Sequence, residues 1–229
     1  MLSRKDKERL SAIKENCTKC GGLGALFINK QFVDCECLKI IEKEQRILEA
    51  NIPPAYTKFK LEDLTEEFKS ENKYYLELFT NFIYNLKDNE GKIVWLHSPP
   101  GLAKSCLMVW GITYALSLGY IPYFSRATQL LQLKLDALRR EDKKEELDYI
   151  LNRVDILAID EIDKVYLNPD NFVTSQFYDL FSDVYDMNKT LLISSNVPLV
   201  ACVSKFPVYI QDRLEAAISI EFSGKSGRR

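Results

Sequence analysis

The sequence lacks an excess of charge of either sign. It contains 31 lysine and arginine residues against 33 aspartate and glutamate residues, so the formal net charge of the 229-residue chain is −2. A broad positive field that would hold nucleic acid over the whole surface is therefore excluded. Any contact with DNA has to come from a local patch or from an assembly of several copies. Histidine is nearly absent as well: His97 is the only one in the sequence, and we expect no metal-binding role for it.

Signals for export or for a membrane span are also lacking. The N-terminal residues, MLSRKDKERLSAIKEN, are too charged for a signal peptide. Residues 106–124 carry no charge, but Gly111, Gly119 and Pro122 interrupt them. A buried helix, a turn and a buried strand explain this stretch better than a membrane span does. We therefore predict a cytoplasmic protein that makes no contact with a membrane.

Six cysteines are present, and without a secretion signal they are not expected to form disulfides. Four of them form a C-x-x-C pair and a C-x-C pair, namely Cys17, Cys20, Cys35 and Cys37. Four thiolates around one ion suit Zn²⁺. Residues 25–34 between the pairs alternate as a short hairpin does, which favours a zinc ribbon or knuckle. Redox chemistry and chance pairing are the alternatives. Cys106 and Cys202 are isolated in apolar surroundings and are typical of core residues.

The chain is predicted to contain two domains. Charged helical stretches at residues 3–16 and 38–50 flank the cysteine pairs, and the prolines in NIPPAY, residues 51–56, end the second helix. The boundary therefore lies between residues 1–50 and residues 51–229. The first region is too small to bury a sufficient core, so we expect a metal ion to supply its stability.

In the second region, apolar runs alternate with helical patterns. Strands are predicted at residues 92–97, 121–125, 154–160, 190–195 and 217–222, and helices at residues 74–85, 105–118, 127–151 and 177–186. This alternation predicts an α/β fold with a parallel central sheet flanked by helices. Such sheets bind ligands at the carboxyl ends of their strands, so the residues that follow each strand are the candidates for function.

The first strand is followed by SPPGLAKS, which has the composition of a phosphate-binding loop. A helix N-terminus, Lys104 for phosphate oxygens and the Ser105 hydroxyl for Mg²⁺ are all present. The pattern G-x-x-x-x-G-K-[ST] is not met, because Ser98 and Ala103 replace its two glycines. Alanine adds one methyl group, and we expect Ala103 to be tolerated. We expect Ser98 either to adjust the turn or to slow the enzyme.

Polar residues follow two further strands. Asp160 and Glu161 end the strand VDILAID, where an aspartate can hold Mg²⁺ and a glutamate can polarise an attacking water. Helix capping is the alternative for both. Asn196 follows TLLISS and can orient that water or contact a γ-phosphate. A plain turn residue before a proline is the alternative for Asn196.

Seven segments, taken in order along the chain, resemble motifs of one protein family. They are IPPAYTKFKLEDL, HSPPGLAKSCL, PYFSRATQLL, ILAIDEID, KTLLISSNVPL, IQDRLEAA and FSGKSGRR. With these segments the chain resembles the DnaC/DnaI-type replicative helicase loaders and their relatives, the IstB-type transposition ATPases, within the AAA+ superfamily. A cysteine-rich N-terminal region that engages the helicase is also a feature of some of these loaders.

The resemblance implies an AAA+ P-loop NTPase fold with a minimal or absent lid, beside a small N-terminal zinc-binding domain. It implies that ATP or ADP is bound by Pro100, Gly101, Leu102, Ala103, Lys104, Ser105, Cys106, Asp160 and Arg228, and Mg²⁺ by Ser105 and Asp160. In this scheme Arg228 is the sensor 2 residue. It stands next to the last residue of the sequence, and a frayed end is the alternative interpretation.

The resemblance also implies catalytic roles for Glu161, Asn196 and Arg213, as the Walker B glutamate, sensor 1 and the arginine finger. An arginine finger acts on the ATP of a neighbouring subunit, which implies self-association through the ATP sites. The alternative for Arg213 is a surface ion pair with Asp212 or Glu215.

The function implied is that of an ATP-dependent loader, bacterial or phage-encoded, that places a DnaB-type replicative helicase on single-stranded DNA. The N-terminal domain would bind the helicase. Ser125, Arg126 and Thr128 are candidate DNA contacts; the basic tract at residues 139–144 is another, although a solvated helix face is its simpler interpretation. The alternatives are an IstB-type ATPase that recruits a transposase, which the cysteine cluster disfavours, and a non-hydrolysing adaptor, which the intact Glu161 disfavours.

Overall fold

A computed structural model describes residues 4–168 and 171–225 of the chain. The contacts within the chain divide it into two compact units, Met1–Ile52 and Pro53–Arg229. The sequence placed the boundary after residue 50, two residues earlier. Each unit has its own sheet and its own buried residues.

The first unit consists of two helices and a hairpin. Helix α1 covers Arg4–Glu15, strands β1 and β2 cover Ala25–Ile28 and Gln31–Asp34, and helix α2 covers Glu36–Glu49. The strands pair in antiparallel fashion, from Ala25 opposite Asp34 to Ile28 opposite Gln31. Asn29 and Lys30 both have positive φ, as a two-residue hairpin turn whose twist matches the strands requires. The hairpin predicted between the two cysteine pairs is confirmed.

The second unit is built on a sheet of five strands, all of them parallel. The strand order is β4-β5-β6-β3-β7, with the first strand of the unit, β3, between the last two. The strands are β3 (Ile93–His97), β4 (Pro122–Arg126), β5 (Ile156–Asp160), β6 (Thr190–Ser195) and β7 (Ile218–Glu221). The predicted strands and their parallel arrangement are confirmed.

Two helices precede the first of these strands, and the others lie between the strands in sequence. The helices are α3 (Glu66–Glu71), α4 (Lys73–Tyr84), α5 (Lys104–Ser117), α6 (Ala127–Ala137), α7 (Glu141–Arg153), α8 (Phe172–Asp186), α9 (Leu199–Val203) and α10 (Val208–Glu215). Short 3-10 helices lie at Leu61–Asp63, Leu86–Asn89 and Ile162–Lys164. The stretch predicted as mostly helical over residues 127–151 forms two helices, because Arg140 is extended and the acidic residues after it favour a new helix N-terminus there. From β7 to residue 225 the chain forms no further helix.

The core of the second unit lies on both sides of the central strands. Every residue of β3, β5 and β6 is buried, as expected for parallel strands that are covered by helices on both faces. Helix α5 is buried along most of its length. It packs closely on α4, since a Cβ added at Gly111 would lie 2.9 Å from Ile83 Cδ1. The uncharged stretch that begins in α5 is therefore a buried helix followed by a buried strand, as predicted. Among the helices of the described residues, none has the length and apolarity to cross a membrane.

The strand order decides which polar residues meet. Strands β5, β6 and β3 are adjacent and point the same way. Their carboxyl ends therefore bring the loop after β3, the acidic residues after β5 and the amide after β6 to one edge of the sheet.

Candidate functional site

The loop between β3 and α5 has a left-handed backbone at two positions. Gly101 has φ of 90° and Ala103 has φ of 58°. An alanine in this conformation carries a cost of roughly 1–2 kcal/mol that a glycine avoids. Ser98 has no positive φ, so its backbone does not require glycine. We expected Ser98 either to adjust the turn or to slow the enzyme, and Ala103 to be tolerated. The position that favours glycine is Ala103, and Ser98 needs no unusual backbone conformation. An adjusted turn at Ser98 is therefore not observed, and a slower enzyme stays a prediction.

Ser98 has a different role in the loop, which is to accept a hydrogen bond from Lys104. The Lys104 ammonium donates to the Ser98 carbonyl oxygen at 2.7 Å, to Ser98 Oγ at 2.9 Å and to the Pro99 carbonyl oxygen at 3.2 Å. The Ser98 hydroxyl in turn donates to that Pro99 oxygen. Glycine at position 98 would offer the carbonyl but no hydroxyl. The loop therefore holds its lysine with one acceptor more than the consensus pattern provides.

Burial lowers the pKa of Lys104, and the nearby carboxylates of Asp163, Asp160 and Glu161 oppose this effect. The ammonium also donates to Asn196 Oδ1 at 3.2 Å. Lys104 is thus a buried cation that faces the carboxyl ends of β5 and β6. A phosphate group that enters the loop would compensate the charge that burial disfavours.

Ser105 and Asp160 form the second part of the site. Ser105 is in the first turn of α5, and its Oγ donates to Asp160 Oδ1 at 2.9 Å. A hydroxyl beside a carboxylate, next to a phosphate loop, is the ligand pair expected for Mg²⁺. Ser194 also donates to Asp160 Oδ1 through its hydroxyl. Asp160 is therefore held by two hydroxyl groups, and its side chain is not used to cap a helix.

The backbone turns sharply after Asp160. Glu161 has φ of 57°, and its N–H donates to Ser194 Oγ at 2.9 Å. The Glu161 side chain makes no capping hydrogen bond, although it precedes a 3-10 helix. It is 45% exposed, and Oε2 lies 4.0 Å from Arg126 Nε. Glu161 thus presents a solvent-accessible carboxylate beside the buried Asp160, and capping does not explain either residue.

Asn196 is tied to Asp163, a residue that the sequence interpretation missed. The Asn196 backbone N–H donates to Asp163 Oδ1 at 2.9 Å, and Asn196 Nδ2 donates to Oδ2 at 3.0 Å. Asn196 is therefore more than a turn residue. Ser194 was missed as well. The sequence offered one indication of both residues, which is their position. Asp163 stands three residues after Asp160, and Ser194 stands two residues before Asn196.

Arg213 lies elsewhere in the unit. Its Nη2 donates to Asp186 Oδ1 at 2.8 Å, and its guanidinium carbon is 4.6 Å from the centre of the Tyr185 ring. Nη1 is buried and has no hydrogen-bond partner among the residues that the structure describes. The ion pair of Arg213 is thus with Asp186, not with the neighbours that the sequence suggested. Asp186 ends α8 just before β6, whereas Asn196 follows β6, so roughly 20 Å of strand separates them. Arg228 lies outside the described residues.

A cavity of about 350 Å³ lies beside the first turn of α5, the helix that follows the phosphate loop. One of its lining residues is Cys106, which follows Ser105 directly in the sequence, and the others belong to the segment that opens the second unit. The lining residues are Ala55, Tyr56, Lys58, Phe59, Glu62, Asp63 and Cys106. Cys106 is buried, as expected for a core residue, and it also borders this cavity.

The four cysteines of the first unit lie together. All four Sγ atoms are within 4.8 Å of one another, and the pairs Cys17–Cys35 and Cys20–Cys37 are both separated by 3.7 Å. Four sulfurs around a tetrahedral Zn²⁺ at the usual bond length would be about 3.8 Å apart. The Gly24 N–H donates to Cys20 Sγ at 3.2 Å and lowers the pKa of Cys20 to about 6. The cluster therefore fits a zinc ion without rearrangement.

No family model matches the sequence, and no curated protein matches it. Solved structures do match. DnaA from Aquifex aeolicus bound to AMPPCP has a TM-score of 0.61 at 19% identity, over 78% of this chain and 53% of that chain. DnaI has a TM-score of 0.60 at 16% identity, over 75% and 94% of the two chains. The DnaC helicase loader has a TM-score of 0.57 at 16% identity, over 69% and 100%.

These matches establish the fold of the second unit. The five-stranded parallel sheet flanked by helices has the AAA+ P-loop fold, as in DnaA, DnaI and the DnaC helicase loader. The matched part of this chain spans about half of the Aquifex aeolicus DnaA chain, as the 53% coverage states. The predicted fold class is confirmed.

Proposed function

We propose that the site at the carboxyl ends of β3, β5 and β6 binds ATP with Mg²⁺ and hydrolyses it. The observation that carries this proposal is the hydrogen bond from Ser105 to Asp160. It joins the phosphate loop to the acidic strand end, with Lys104 and Asn196 within 3.2 Å of each other beside it. A nucleotide with a metal ion is the ligand that needs a cation, a hydroxyl and a carboxylate in this arrangement.

Lys104 and the loop N–H groups would bind the phosphates. To do so the Lys104 ammonium exchanges its contacts with Ser98 and Pro99 for phosphate oxygens. Ser105 and Asp160 would hold Mg²⁺, which supplies charge neutralisation for the phosphates. The cavity lined by Cys106, Tyr56 and Phe59 lies beside the first turn of α5, and we assign the adenine base to it.

Glu161 would prepare the attacking water. Its carboxylate accepts the water proton while the water oxygen bonds to the γ-phosphorus, and the bond from that phosphorus to the β,γ-bridging oxygen breaks. The products are ADP and inorganic phosphate. Asn196 orients the reacting groups from the end of β6, and Arg228 remains a predicted sensor 2 residue.

The proposed biological role is the loading of a DnaB-type replicative helicase onto single-stranded DNA. The likeness of the fold to DnaI and to the DnaC helicase loader supports this proposal. The separation of Arg213 from its own chain's phosphate loop supports its action on a neighbouring subunit, and hence assembly through the ATP sites.

The first unit is the proposed helicase-binding part. Its hairpin exposes apolar side chains that do not pack against the cysteine cluster. Phe27 is 65% and Phe32 is 80% exposed, with their ring centres 5.1 Å apart. Leu23, Ile28 and Val33 are exposed as well, with Ile28 and Val33 on the opposite face of the hairpin, because side chains alternate along a strand. An exposed aromatic pair is typical of a protein-binding surface.

We propose fewer residues as DNA contacts than the sequence suggested. Ser125 is buried and its hydroxyl donates to the Arg126 carbonyl oxygen, so it is withdrawn from the set. Arg126, the last residue of β4, and Thr128, in the first turn of α6, are both exposed. In the basic tract, Arg140, Lys143 and Lys144 form ion pairs with neighbouring carboxylates, which supports the solvated-face interpretation.

The ATP assignment is tested with Lys104→Ala. Loss of the ammonium should weaken the binding of a fluorescent ATP analogue by about 10- to 100-fold, the range for a hydrogen bond to a charged group. Lys144→Ala, on the exposed face of α7, is the matched control. An unchanged affinity in Lys104→Ala would refute the phosphate assignment.

The role is tested by capture with purified partners. The full chain and a Phe27→Ser/Phe32→Ser variant are each incubated with the host DnaB-type helicase and with a transposase. We expect capture of the helicase by the wild-type chain and its loss in the variant, with zinc content unchanged. Capture of the transposase instead would establish the IstB-type alternative, and capture of neither would refute the loader proposal.

A further inference from the structure

Asp163 has no role in the hydrolysis described above, yet it is bound closely to that site. It lies in the 3-10 helix Ile162–Lys164 that follows Glu161. Both of its carboxylate oxygens accept hydrogen bonds from a single residue, Asn196, one from the backbone N–H at 2.9 Å and one from the side-chain Nδ2 at 3.0 Å. Such a two-point contact fixes a side-chain amide in one plane.

The orientation of the Asn196 amide follows from these partners. With Nδ2 on the carboxylate, the carbonyl oxygen Oδ1 turns to the Lys104 ammonium, 3.2 Å away. The reversed amide would place an oxygen against a carboxylate and an NH₂ group against an ammonium, and both contacts are repulsive. The charge of Asp163 therefore decides which end of the amide Lys104 meets.

Asp163 also acts on Lys104 directly. Burial has the largest effect on the pKa of Lys104 and lowers it. Three nearby carboxylates raise that pKa, and Asp163 has the largest effect among them. Asp163, Asn196 and Lys104 thus form a chain of contacts from the element that carries Glu161 to the phosphate loop. Each link of this chain is a charge-assisted hydrogen bond, the stronger kind in proteins.

We propose that Asp163 is a positioning residue, which acts through Asn196 to hold an acceptor oxygen on Lys104 during hydrolysis. This inference rests on the proposed ATPase function. When Lys104 moves from the loop carbonyls to phosphate oxygens, the Asn196 oxygen is the contact that it can keep. Asp163 therefore orients the Lys104 ammonium in the reacting complex through Asn196, without itself contacting ATP.

A double-mutant cycle tests this inference in the full chain. Asp163→Ala should lower kcat by about 10-fold or more, as expected for a lost hydrogen bond to a charged group, with the ATP affinity less affected. Asn196→Ala should lower kcat similarly. The double variant should lose little beyond Asn196→Ala alone, because most of the effect of Asp163 passes through Asn196 and only its charge near Lys104 remains once that partner is absent. Asp148→Asn, an exposed carboxylate on α7, is the control and should leave kcat unchanged.

An additive double variant would overturn the inference and point to a direct role of Asp163, for example in binding the metal. A fall in the melting temperature of Asp163→Ala without a change in kcat would show that the contact is structural only. Wild-type protein that binds but does not hydrolyse ATP would refute the proposed function instead.

A second readout does not depend on hydrolysis. In protein labelled with ¹⁵N-asparagine, the side-chain signals of Asn196 are identified by their loss in Asn196→Ala. In wild-type protein at least one Asn196 side-chain proton should exchange slowly with solvent, and Asp163→Ala should make that exchange at least about 10-fold faster, by loss of the same bond. Equal exchange in both proteins would overturn the positioning role, whether or not the chain hydrolyses ATP.

Discussion

The Lys104 ammonium lies 2.9 Å from the hydroxyl oxygen of Ser98, inside the loop that is proposed to bind phosphate. The hydroxyl replaces the first glycine of the consensus pattern. It gives the lysine a partner before any nucleotide enters, so nucleotide binding has to compete with an existing contact. The same contact explains how the loop tolerates a buried cation when it is empty.

The first prediction concerns this contact. Ser98→Gly removes an acceptor of Lys104, so ATP should bind about 10-fold more tightly, at the lower end of the range for one hydrogen bond to a charged group. Titration of a fluorescent ATP analogue measures the change. Ser98→Ala is the matched variant: it lacks the hydroxyl but keeps a side chain, and it should show the same gain. Weaker binding in both variants would mean that the hydroxyl serves the nucleotide-bound loop.

The second prediction concerns the left-handed backbone at Ala103. Ala103→Gly relieves a conformation that costs an alanine roughly 1–2 kcal/mol, but it adds about 0.4–1 kcal/mol of entropy to the unfolded chain. We expect the free energy of unfolding to rise by about 1 kcal/mol or less. Chemical denaturation measures it. As a control, Ala115→Gly in the interior of α5 should destabilise the protein by about 1 kcal/mol. A loss of stability in Ala103→Gly would contradict the argument that the backbone at Ala103 is strained.

The third prediction concerns the attacking water. Glu161→Gln keeps the size of the side chain but cannot accept the water proton, so kcat should fall by about 10²- to 10⁴-fold. ATP should remain bound, because the glutamate does not contact the phosphate-binding loop. Single-turnover hydrolysis and retention of labelled ATP measure the two effects. Glu215→Gln, at the end of α10, is the control and should hydrolyse ATP at the wild-type rate. Hydrolysis at that rate by Glu161→Gln would show that Glu161 has no part in the mechanism.

The sequence allowed most of the fold to be predicted, because buried parallel strands such as ILAID and TLLISS are continuous apolar runs and each is followed by a polar residue. The candidate site residues on three strand ends were found for the same reason. What the pattern could not reveal was how side chains pair across strands. Asp163 and Ser194 are ordinary in sequence, and their contacts with Asn196 and Asp160 depend on β5 and β6 lying side by side.

The backbone conformation of the phosphate loop was the other feature that could not be predicted from the sequence. A consensus pattern marks two positions as glycine without stating which of them requires positive φ. The amino acids at positions 98 and 103 do not show which position has positive φ, because neither serine nor alanine is the glycine of the consensus pattern. Only the conformation itself identifies Ala103 as the strained residue, and only the side-chain geometry shows that Ser98 contacts Lys104.

The fourth prediction concerns the cysteine cluster. The purified chain should contain about one zinc ion, as expected for four thiolates in a tetrahedral arrangement, and Cys17→Ser/Cys20→Ser should contain none. The binding of ATP should stay unchanged, because the cysteines and the phosphate loop belong to separate compact units. Metal analysis by mass spectrometry and titration with an ATP analogue measure these outcomes. Cys202→Ala, a buried cysteine of the second unit, is the control and should keep its zinc; zinc-free wild-type protein that forms disulfides would favour redox chemistry.

The last prediction concerns Arg213. Its ion pair with Asp186 lies at the end of the sheet opposite the phosphate loop, so any action on ATP has to occur across an interface between subunits. Arg213→Ala should lower kcat on the order of 10³-fold, the lower end of the range for an arginine finger. Asp186→Asn keeps the arginine and removes its ion pair, and it should retain far more activity.

Mixing of two inactive variants separates action between subunits from a structural role. An Arg213→Ala chain has an intact Glu161, and a Glu161→Gln chain has an intact Arg213. If the arginine reaches the neighbouring site, an equal mixture should recover about one quarter of the wild-type rate, because in a head-to-tail assembly a quarter of the interfaces combine both intact residues. A mixture that stays inactive, with a lowered melting temperature in Arg213→Ala, would assign the arginine to the stability of α8 and α10 alone.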